Sequence, residues 1–548
     1  MDLPYELSQI ISGEVKEDAD TLGKFSHDAS IFEVIPEVVV SPKNVEDIEK
    51  LVQFVAGHKK ADTRLSLTAR AAGTDMSGGA VNDSIIVSFA HFNRLKSIAG
   101  DIATVEPGMY YHDFEKKTLD HGLLFPPYPS SREICAIGGM IGNNCGGEKS
   151  LAWGKAQNYV VGLSVVLADG HEYFFEALDE KGLVKKMRQK DFEGDIYRKI
   201  YKLIDGNYDL ITKAKPNASK NSSGYFLWDV WDREKKIFDL TKLFVGSQGT
   251  LGLITRAELK LEPVQKYSEM VIVFMNSLDH LGQIINDVLP LKPESFETYD
   301  DHTFKLAIKY FSSFSKKLGS KNIIDTFLHF APEFLMMLTR GVPKLVLQVE
   351  FAGENREELK NKVAELVKKL APYNPEKIKV APSKRTEKKY WLIRRESFNL
   401  LRQRVKGMHA SPFIDDFAIR PEYLPEFLPK LNKIFAKYPH LIYTLAGHIG
   451  DGNFHIIPLM DLKDEKQRES IPALCDEVFG LVHQYKGTMS GEHNDGLIRT
   501  PYVEKMYGEK IYKLFEETKK IFDPQGIFNP RKKVGGDLKF AMEHIRTD

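Results

Sequence analysis

The sequence of 548 residues contains only three cysteines, Cys135, Cys145 and Cys475. Three thiols cannot build a disulfide framework, and an iron–sulfur cluster bound by cysteine needs four thiolates. The cysteine count therefore argues against both and favours a reducing, cytosolic compartment.

An excess of either charge is also missing, because 76 Lys and Arg residues balance 76 Asp and Glu residues. Nucleic acid is therefore a poor partner, since phosphates are neutralised by a basic surplus. No apolar run approaches the roughly 18 residues of a membrane span, and the N-terminus lacks a basic region followed by an apolar core. We expect a soluble, cytoplasmic protein, and the composition leaves open a homodimer and a peripheral contact at the inner face of a membrane.

The first half of the sequence predicts both β-strands and α-helices. Residues 34–41 are β-rich, and Asn44 can cap a helix whose apolar residues recur at helical spacing. Residues 160–170 have the apolar run and the Asp-Gly turn of a hairpin strand. We place a domain boundary near Pro263.

The second half mixes strands such as 344–353 with amphipathic helices such as 357–370, and the tail 500–532 is predicted to be mostly one helix. The segment 327–341 is very apolar and follows Lys316, Lys317 and Lys321. A buried cap helix is the favoured interpretation, and a membrane-surface or quinone-side patch is the alternative.

Three glycine-dense segments carry the strongest functional signal. They are ARAAGTDMSGG (69–79), CAIGGMIGNNCGGEKSLAWG (135–154) and VGSQGTLGLIT (245–255). Glycine allows positive φ and close backbone approach, and successive backbone N–H groups can form a concave site for a pyrophosphate. The first segment alone is equally consistent with a structural turn. We interpret the second as backbone lying against a ligand, and the third as glycines that interrupt a strand. The segments match neither the Rossmann GxGxxG pattern nor the P-loop.

In this order, and with KNSSGY (220–225), these segments resemble the FAD domain of vanillyl-alcohol-oxidase-type flavoproteins. The greatest similarity is to the D-lactate, glycolate and D-2-hydroxyglutarate dehydrogenase branch, over about residues 35–533. The resemblance implies an α+β fold with a bipartite PCMH-type FAD-binding domain and an α+β cap. We accordingly divide the chain into an N-terminal extension (1–33), the FAD domain (34–264), the cap (265–490) and a C-terminal helical segment that returns to the flavin (491–548).

The resemblance also implies a set of cofactor-binding residues. FAD is expected to be non-covalent, because the first segment has no His or Cys for attachment, and we interpret Cys135 and Cys145 as packing residues. The chain departs from the family's Gly-Gly-Gly run at Ala71-Ala72-Gly73, and it has Gln248 in place of the usual Glu. The expected cofactor-binding residues are Arg70, Gly73, Thr74, Ser77, Gly78, Gly138, Gly139, Asn143, Asn144, Gly147, Gly249, Ile254 and Asn529.

Histidines in the second half could bind a metal. His448 and His455 flank a Gly-Asp-Gly turn, and Glu492 follows downstream. On a flat strand, residues seven apart face opposite sides, but a kink at Gly450–Gly452 could bring both imidazoles together. Two imidazoles and a carboxylate suit Zn²⁺, Mn²⁺ or Fe²⁺, and hydrogen-bonded structural histidines are the alternative.

The resemblance assigns roles to these positions. His448, His455 and Glu492 match residues that bind a divalent cation, and His493 matches the catalytic base. Arg394 matches the W-x-x-R position and is expected to bind the substrate carboxylate, although a surface arginine is an equal alternative. Asn494 stands where the family commonly has glycine.

These parts predict FAD-dependent oxidation of a small D-2-hydroxy acid, with hydride transfer to flavin N5. Ile414 stands near a position where D-2-hydroxyglutarate enzymes have lysine, which favours D-lactate. D-2-hydroxyglutarate, glycolate and a flavin-using transferase of the alkylglycerone-phosphate synthase type remain alternatives. Electrons are expected to leave to an external quinone, cytochrome or electron-transfer flavoprotein.

Overall fold

The fold is described from a computed structural model, which covers residues 2–314, 318, 320, 322–404, 407–439 and 441–547. The architecture is α+β, as predicted. Two sheets support the N-terminal half, a third supports the cap, and the end of the chain packs back against the first half.

The first sheet carries the predicted helix beside its parallel strands. Asn44 caps helix Val45–His58 through a 2.9 Å hydrogen bond from the Asp47 N–H, as expected. The predicted apolar face of that helix is buried. In order across the sheet, the strands are Glu14–Lys16, Val38–Ser41, Ile85–Ser88 and Leu67–Arg70, the last three parallel.

The second sheet of this half is antiparallel. Strand Val160–Val166 turns back into Glu172–Leu178, which confirms the predicted hairpin. A short strand pair joins Leu123–Leu124 to Glu262–Pro263. In order, the seven strands are Trp231–Asp232, Ile237–Asp239, Glu172–Leu178, Val160–Val166, Leu253–Lys260, Ile102–Val105 and Leu95–Ala99.

Helices surround both sheets. The second glycine-dense segment contains one of them, Ile137–Asn143, which ends at Asn144 in the left-handed conformation. The α-helices described before residue 264 are Leu3–Ile10, Ala19–Phe25, Val45–His58, Tyr111–Leu119, Ile137–Asn143, Ser150–Trp153, Glu180–Met187, Phe192–Gly206, Tyr208–Ala214 and Thr241–Phe244.

An eight-stranded antiparallel sheet forms the centre of the cap. The predicted strand at 344–353 is Leu345–Gly353, near its centre. Strand Phe417–Ala418 pairs beside the main path with Asn453–Met460. In order, the path is Lys377–Val380, Tyr267–Met275, Leu345–Gly353, Ser295–Asp300, Ile442–His448, Asn453–Met460 and His409–Ala410.

The cap helices are Leu281–Val288, Asp301–Lys309, Ile323–Arg340, Arg356–Leu370, Lys384–Arg404, Leu424–Phe435 and Glu465–Gln484. Helices Gly496–Arg499, Val503–Tyr507, Glu509–Phe522 and Leu538–Glu543 follow. The tail 500–532, predicted to be mostly one helix, forms the helix Glu509–Phe522, which buries an apolar face, over fewer than half of its residues. The rest of 500–532 consists of shorter helices and turns.

The apolar segment 327–341 lies in helix Ile323–Arg340, but it is not a buried helix throughout. Its inner face buries Phe330 and Met336, whereas Leu335 and Leu338 on the outer face are exposed. Across the described parts of the chain, no helix combines the length and apolar character needed to cross a membrane.

The two ends of the described chain meet beside the first sheet. Leu67 forms a parallel bridge with Phe528, and Phe32 forms an antiparallel bridge with Ile545. These pairings attach the C-terminal segment to the N-terminal half, next to the glycine-dense segments.

Candidate active site

A cavity of about 1080 Å³ lies between the glycine-dense segments and the cap sheet. One wall is backbone of all three glycine-dense segments, and the other carries His448, His455, Glu492 and His493. Ligand pockets are commonly about 300–1,000 Å³. The cavity therefore has room for a ligand larger than a typical small substrate.

At two positions the groove is open because the residue is a glycine and has no side chain. A Cβ added to Gly139 would meet only the Ala71 Cβ, at 3.9 Å, and one added to Gly142 would meet only the Gln248 Cα, also at 3.9 Å. Both positions face open space in the groove rather than a packed neighbour. Backbone exposed in this way can lie against a flat ring, and it fits FAD.

The expected cofactor-binding residues fall into two groups. Eight line the cavity, and the other five lie behind its wall. Those at the cavity are Arg70, Gly73, Thr74, Gly138, Gly139, Asn143, Gly249 and Ile254. Those behind it are Ser77, Gly78, Asn144, Gly147 and Asn529.

The residues behind the wall hold the segments in place. The Asn529 amide donates to the Gly79 and Gln248 carbonyls, at 2.9 and 2.6 Å, and accepts from Thr68. Asn144 bonds to Gln157 instead of reaching the cavity. These side chains therefore position the groove without lining it.

The third segment differs from the prediction. Its glycines do not interrupt a strand, because the strand begins only at Leu253. Gly246 and Gly249 lie in the preceding turn at φ 80° and 69°. Gln248 shares this left-handed turn at φ 52°, and its side chain accepts from the Gly496 N–H at 2.9 Å.

The N-terminal extension also reaches the cavity, which the sequence did not reveal. His27, Asp28 and Ala29 line it beside the first glycine-dense segment. The Arg70 guanidinium donates to the His27 carbonyl at 2.8 Å and thereby anchors this stretch. Asp28 is buried, and Oδ2 of its carboxyl has no hydrogen-bond partner. Burial and the nearby Asp75 raise the pKa of Asp28 to about 7.

A hairpin brings the two cap histidines together. Strands Ile442–His448 and Asn453–Met460 are joined by a tight turn that ends at Gly452, with φ 63°. Ala446 pairs directly with His455, so both lie on the same face as His448, two residues along the strand. The ring centroids of the two histidines are 5.3 Å apart. The convergence that the Gly450–Gly452 kink suggested is therefore present, as a complete turn.

Carboxylates behind the hairpin orient both imidazoles. Nδ1 of His448 lies 2.7 Å from Glu297 Oε1, and Nδ1 of His455 lies 3.2 Å from Asp415 Oδ1. Carboxylates in these positions favour a proton on Nδ1 and leave Nε2 to bind a metal, an arrangement common around metal-ligating histidines. One potential ligand atom from each of His448, His455 and Glu492 lies within 4.8 Å of the others. The donor set fits a divalent cation.

Glu492 is held as a carboxylate. Its Oε1 lies 2.5 Å from Lys220 Nζ, and Lys220 also pairs with Asp451. Burial raises the pKa of Glu492, but Lys220 and His448 outweigh this effect and hold that pKa well below its usual value. A charged carboxylate is the form that binds a metal.

His493 lies beside His455, with ring centroids 5.1 Å apart. Its Nδ1 is 2.8 Å from Asp415 Oδ2, and its backbone N–H donates to Asp416. Burial lowers the pKa of His493, but Asp416 and Asp415 raise it overall to about 9. Asn494 follows at φ 69°, a conformation that asparagine tolerates better than most residues and that accounts for its standing in place of glycine.

Arg394 is buried at the cavity wall rather than on the surface. It forms an ion pair with Glu297, and its Nη2 lies 3.4 Å from His448 Nδ1. Arg395 pairs instead with Glu148. Arg499, the other arginine of this region, donates to the Asn494 and Asp415 carbonyls and does not line the cavity.

The wall beyond the histidines is largely apolar. Ala446 and Ile457 line the cavity next to Thr444, on the same sheet face as the histidines. Ile414 does not line it and lies in the hydrophobic core. The substrate preference inferred from Ile414 therefore depends on the wrong position, whereas Ala446 and Ile457 are placed to affect it.

Sequence reasoning missed four charged residues of the site: Glu297, Asp415, Asp416 and Lys220. The segment DDFAIR (415–420) contains Asp415 and Asp416, and KNSSGY begins with Lys220. These local signals could have drawn attention to three positions. Glu297 lies 151 residues before the histidine it orients, and its local sequence gives no comparable signal.

Two family models match the chain. The C-terminal domain of FAD-linked oxidases matches residues 264–533, and an FAD binding domain matches residues 36–174. The 4-ethylphenol oxidase from Gulosibacter chungangensis has a similar fold, with a TM-score of 0.69 at 15% identity over 98% of this chain and 97% of that one.

Several curated relatives align along most of the chain. D-2-hydroxyglutarate dehydrogenase of Pseudomonas putida is 26% identical over 95% of this chain and 50% of its own length, so the chain spans about half of that relative. Glycolate oxidase subunit GlcD of Bacillus subtilis is 26% identical over 98% of both chains. D-lactate dehydrogenase of Archaeoglobus fulgidus is 25% identical over 91% of both chains. The chain therefore belongs to the FAD-linked oxidases, with an FAD binding domain followed by the C-terminal domain of that family, and it is similar to relatives named D-2-hydroxyglutarate dehydrogenase, glycolate oxidase subunit GlcD and D-lactate dehydrogenase.

Proposed function

We propose that this protein oxidises a small D-2-hydroxy acid, preferably D-lactate, to the 2-oxo acid with non-covalent FAD. The observation that carries the proposal is the shared cavity. His448, His455, Glu492, His493 and Arg394 all line the space that the glycine backbone borders.

Each of these residues has a separate role in the proposed reaction. Arg394 binds the substrate carboxylate, and His448, His455 and Glu492 hold a divalent cation that would lower the pKa of the substrate hydroxyl. Neutral His493 accepts the hydroxyl proton at Nε2, since its Nδ1 faces Asp415. FAD, when bound, supplies the two-electron acceptor for the hydride from Cα. A cation beside His493 would lower its pKa by repulsion and favour the neutral base.

Support for non-covalent FAD comes from the chemistry of Cys135. Its side chain lies at the cavity, but burial raises the pKa of the thiol to about 12. A neutral thiol is a poor nucleophile for attachment to a flavin ring. We expect acid precipitation of the protein to leave FAD in the supernatant.

Support for D-lactate comes from the wall formed by Thr444, Ala446 and Ile457. A methyl group packs well against such a surface, whereas a second carboxylate needs a cation. Lys388 also lines the cavity and is exposed, so it favours D-2-hydroxyglutarate as the second candidate. Glycolate, which has no side chain, would gain nothing from either feature.

The test is an anaerobic titration of the FAD-loaded protein with D- and L-lactate, D-2-hydroxyglutarate and glycolate. We expect D-lactate to bleach the flavin absorbance fastest, and we expect a chelator to slow the bleaching. Reduction by L-isomers alone would refute the proposed stereochemistry. Fastest reduction by D-2-hydroxyglutarate would mean that Lys388 binds the second carboxylate of the substrate. A transferase would leave the flavin oxidised with every one of these acids.

The reduced flavin must pass its electrons onward. The three cysteines cannot provide a four-cysteine cluster, so we expect the electrons to leave these 548 residues for a separate acceptor. A quinone, a cytochrome or an electron-transfer flavoprotein would each serve. Steady-state assays with each acceptor at fixed D-lactate would distinguish them.

A further inference from the structure

Two buried amide side chains join the segment that carries His493 to the glycine-dense segments. These residues, the amide pair, are Gln248 (7% exposed) and Asn494 (0% exposed). Both have left-handed backbone, at φ 52° and 69°, which is uncommon for residues with a side chain. The hydrogen bonds of the two side chains show what the pair holds together.

The Asn494 amide connects three parts of the chain. Its Nδ2 donates to the Gly246 carbonyl at 2.8 Å, in the third glycine-dense segment, and lies 3.4 Å from the Gly142 carbonyl oxygen in the second. Its Oδ1 accepts from Lys533 Nζ and from the Asp495 N–H, each at 2.7 Å. Each end of the amide therefore faces partners of the opposite hydrogen-bonding kind.

Gln248 connects the same segment from the other direction. Its Oε1 accepts from the Gly496 N–H at 2.9 Å, two residues beyond Asn494. Its Nε2 donates to Ser77 Oγ at 3.2 Å, in the first glycine-dense segment. Together with the bonds of Asn494, these contacts attach residues 494–496 to all three glycine-dense segments.

His493 itself is held from the opposite side. Its Nδ1 lies 2.8 Å from Asp415 Oδ2, and its backbone N–H donates to Asp416 at 2.7 Å. Both carboxylates belong to the cap, next to strand Phe417–Ala418. The side chain of His493 is therefore attached to the cap, whereas the residues that follow it are attached to the groove.

We propose that the amide pair keeps His493 in register with the groove that would hold FAD. Gln248 and Asn494 are positioning residues, because their amides act through His493 and do not react. Without either amide, the segment would stay attached to the cap but would be free to shift against the glycine backbone. A misplacement of about 1 Å can slow a reaction roughly 100-fold, even when the altered residue is remote from the chemistry.

The assignment of His493 as the base rests on the proposed function, but the attachment of its segment does not. Opening of the segment can be followed without substrate, by hydrogen exchange of its backbone amides. The chemical step can be followed separately, by the limiting rate at which a D-2-hydroxy acid bleaches the flavin. The two measurements distinguish a failure of this proposal from a failure of the proposed oxidation.

The experiment compares the FAD-loaded full chain with its variant Asn494→Gly. Glycine adopts φ 69° without strain, so the substitution removes the amide and leaves the backbone conformation accessible. We expect hydrogen exchange in peptides covering 488–498 to accelerate about tenfold or more, with exchange in 442–460 unchanged. The limiting rate of bleaching should also fall about tenfold or more, while the dissociation constant of FAD stays within about twofold of the parent value.

The control Asn374→Gly also removes an asparagine from the left-handed region, at φ 46°. Asn374 is exposed and does not line the cavity, so exchange in 488–498 and the rate of bleaching should match the parent. Gln248→Gly, at φ 52°, removes the other amide and should repeat the changes expected for Asn494→Gly. It decides the question if thermal melting shows that Asn494→Gly does not fold.

Parent-like exchange in 488–498 in a folded variant would overturn the proposal, as would an unchanged limiting rate. Weaker FAD binding with an unchanged limiting rate would also contradict it, because the amides would then only shape the groove. If none of the acids bleaches the flavin of the parent, the proposed oxidation fails, and the exchange data alone decide whether the amide pair holds the segment.

Discussion

At the scale of single residues, buried carboxylates determine what the cap histidines can do. Glu297 and Asp415 contact the Nδ1 atoms of His448 and His455, which leaves the Nε2 atoms as the candidate metal-binding atoms. Glu297 also pairs with Arg394 and so links the proposed metal ligands to the expected carboxylate clamp. The residue types of the ligands could be predicted from sequence, but their orientation depends on a strand far away in the chain.

Replacing Glu297 by Gln should weaken metal binding without removing a ligand. Loss of a carboxylate behind a ligating histidine typically costs about 10- to 100-fold in affinity. Competition titration with a chromogenic chelator measures the change. Glu294→Gln is the matched control, because Glu294 is buried nearby but bonds to Lys149 and Trp153. Equal metal affinity in the two variants would contradict the role of Glu297.

Asp28→Asn should make the cofactor-free protein more stable at high pH. The pKa of Asp28 is raised to about 7 from 3.8, so between these values the folded state binds more protons than the unfolded state. Stability is therefore lost as the pH rises towards 7. Asp75 increases this loss and Arg70 reduces it.

We expect the melting temperature of Asp28→Asn to exceed that of the parent by an amount that is small at pH 4.5, grows up to about pH 7 and is then constant. Differential scanning calorimetry across this range provides the measurement. The exposed Asp120→Asn serves as a control and should show no such trend. A difference independent of pH would mean that Asp28 remains ionised in the fold.

At the scale of secondary-structure elements, tight turns position the side chains of the candidate site. The Gly450–Gly452 kink could be recognised from the sequence, because glycines between two histidines indicate a turn. The helix Ile137–Asn143 could not, because glycine is a poor helix former and the segment gives little helical signal. Tertiary packing overrides that propensity. The Ile137 and Gly138 N–H groups, for example, bond to the Met109 and Pro107 carbonyls at 3.0 and 2.7 Å.

Gly452→Ala should disrupt the histidine hairpin. Gly452 has φ 63°, and an added Cβ would lie 1.8 Å from the Ile419 carbonyl oxygen. We expect a loss of stability of several kcal/mol, since strain and a backbone clash combine. Urea unfolding measures it. Gly480→Ala, at a helical glycine where no atom lies within 4 Å of the added Cβ, should be neutral or stabilising.

At the scale of the whole molecule, the groove belongs to neither half alone. The order of the glycine-dense segments and of the histidine motifs predicted an FAD domain, a cap and a shared site. The sequence does not reveal how the cap sheet sits over the glycine backbone. That arrangement depends on long-range packing, and contacts such as Arg395 with Glu148 join residues 247 positions apart.

Gly142→Leu tests whether the groove holds FAD. The added side chain would enter open space, so the cofactor-free protein should melt within about 2 °C of the parent. FAD should bind at least tenfold more weakly, as measured by quenching of flavin fluorescence. Gly206→Leu, at the open end of a helix, is the control and should bind FAD normally. Unchanged FAD affinity in Gly142→Leu would place the cofactor elsewhere.

The bridge between Phe32 and Ile545 has a consequence for biosynthesis. The stretch that carries Asp28 is fastened by residues translated more than 500 positions later. During translation, the ribosome still covers residue 545 after the glycine-dense segments have emerged. The cavity therefore reaches its final shape only after residue 545 leaves the exit tunnel, and tight capture of FAD follows synthesis of this region rather than accompanying it.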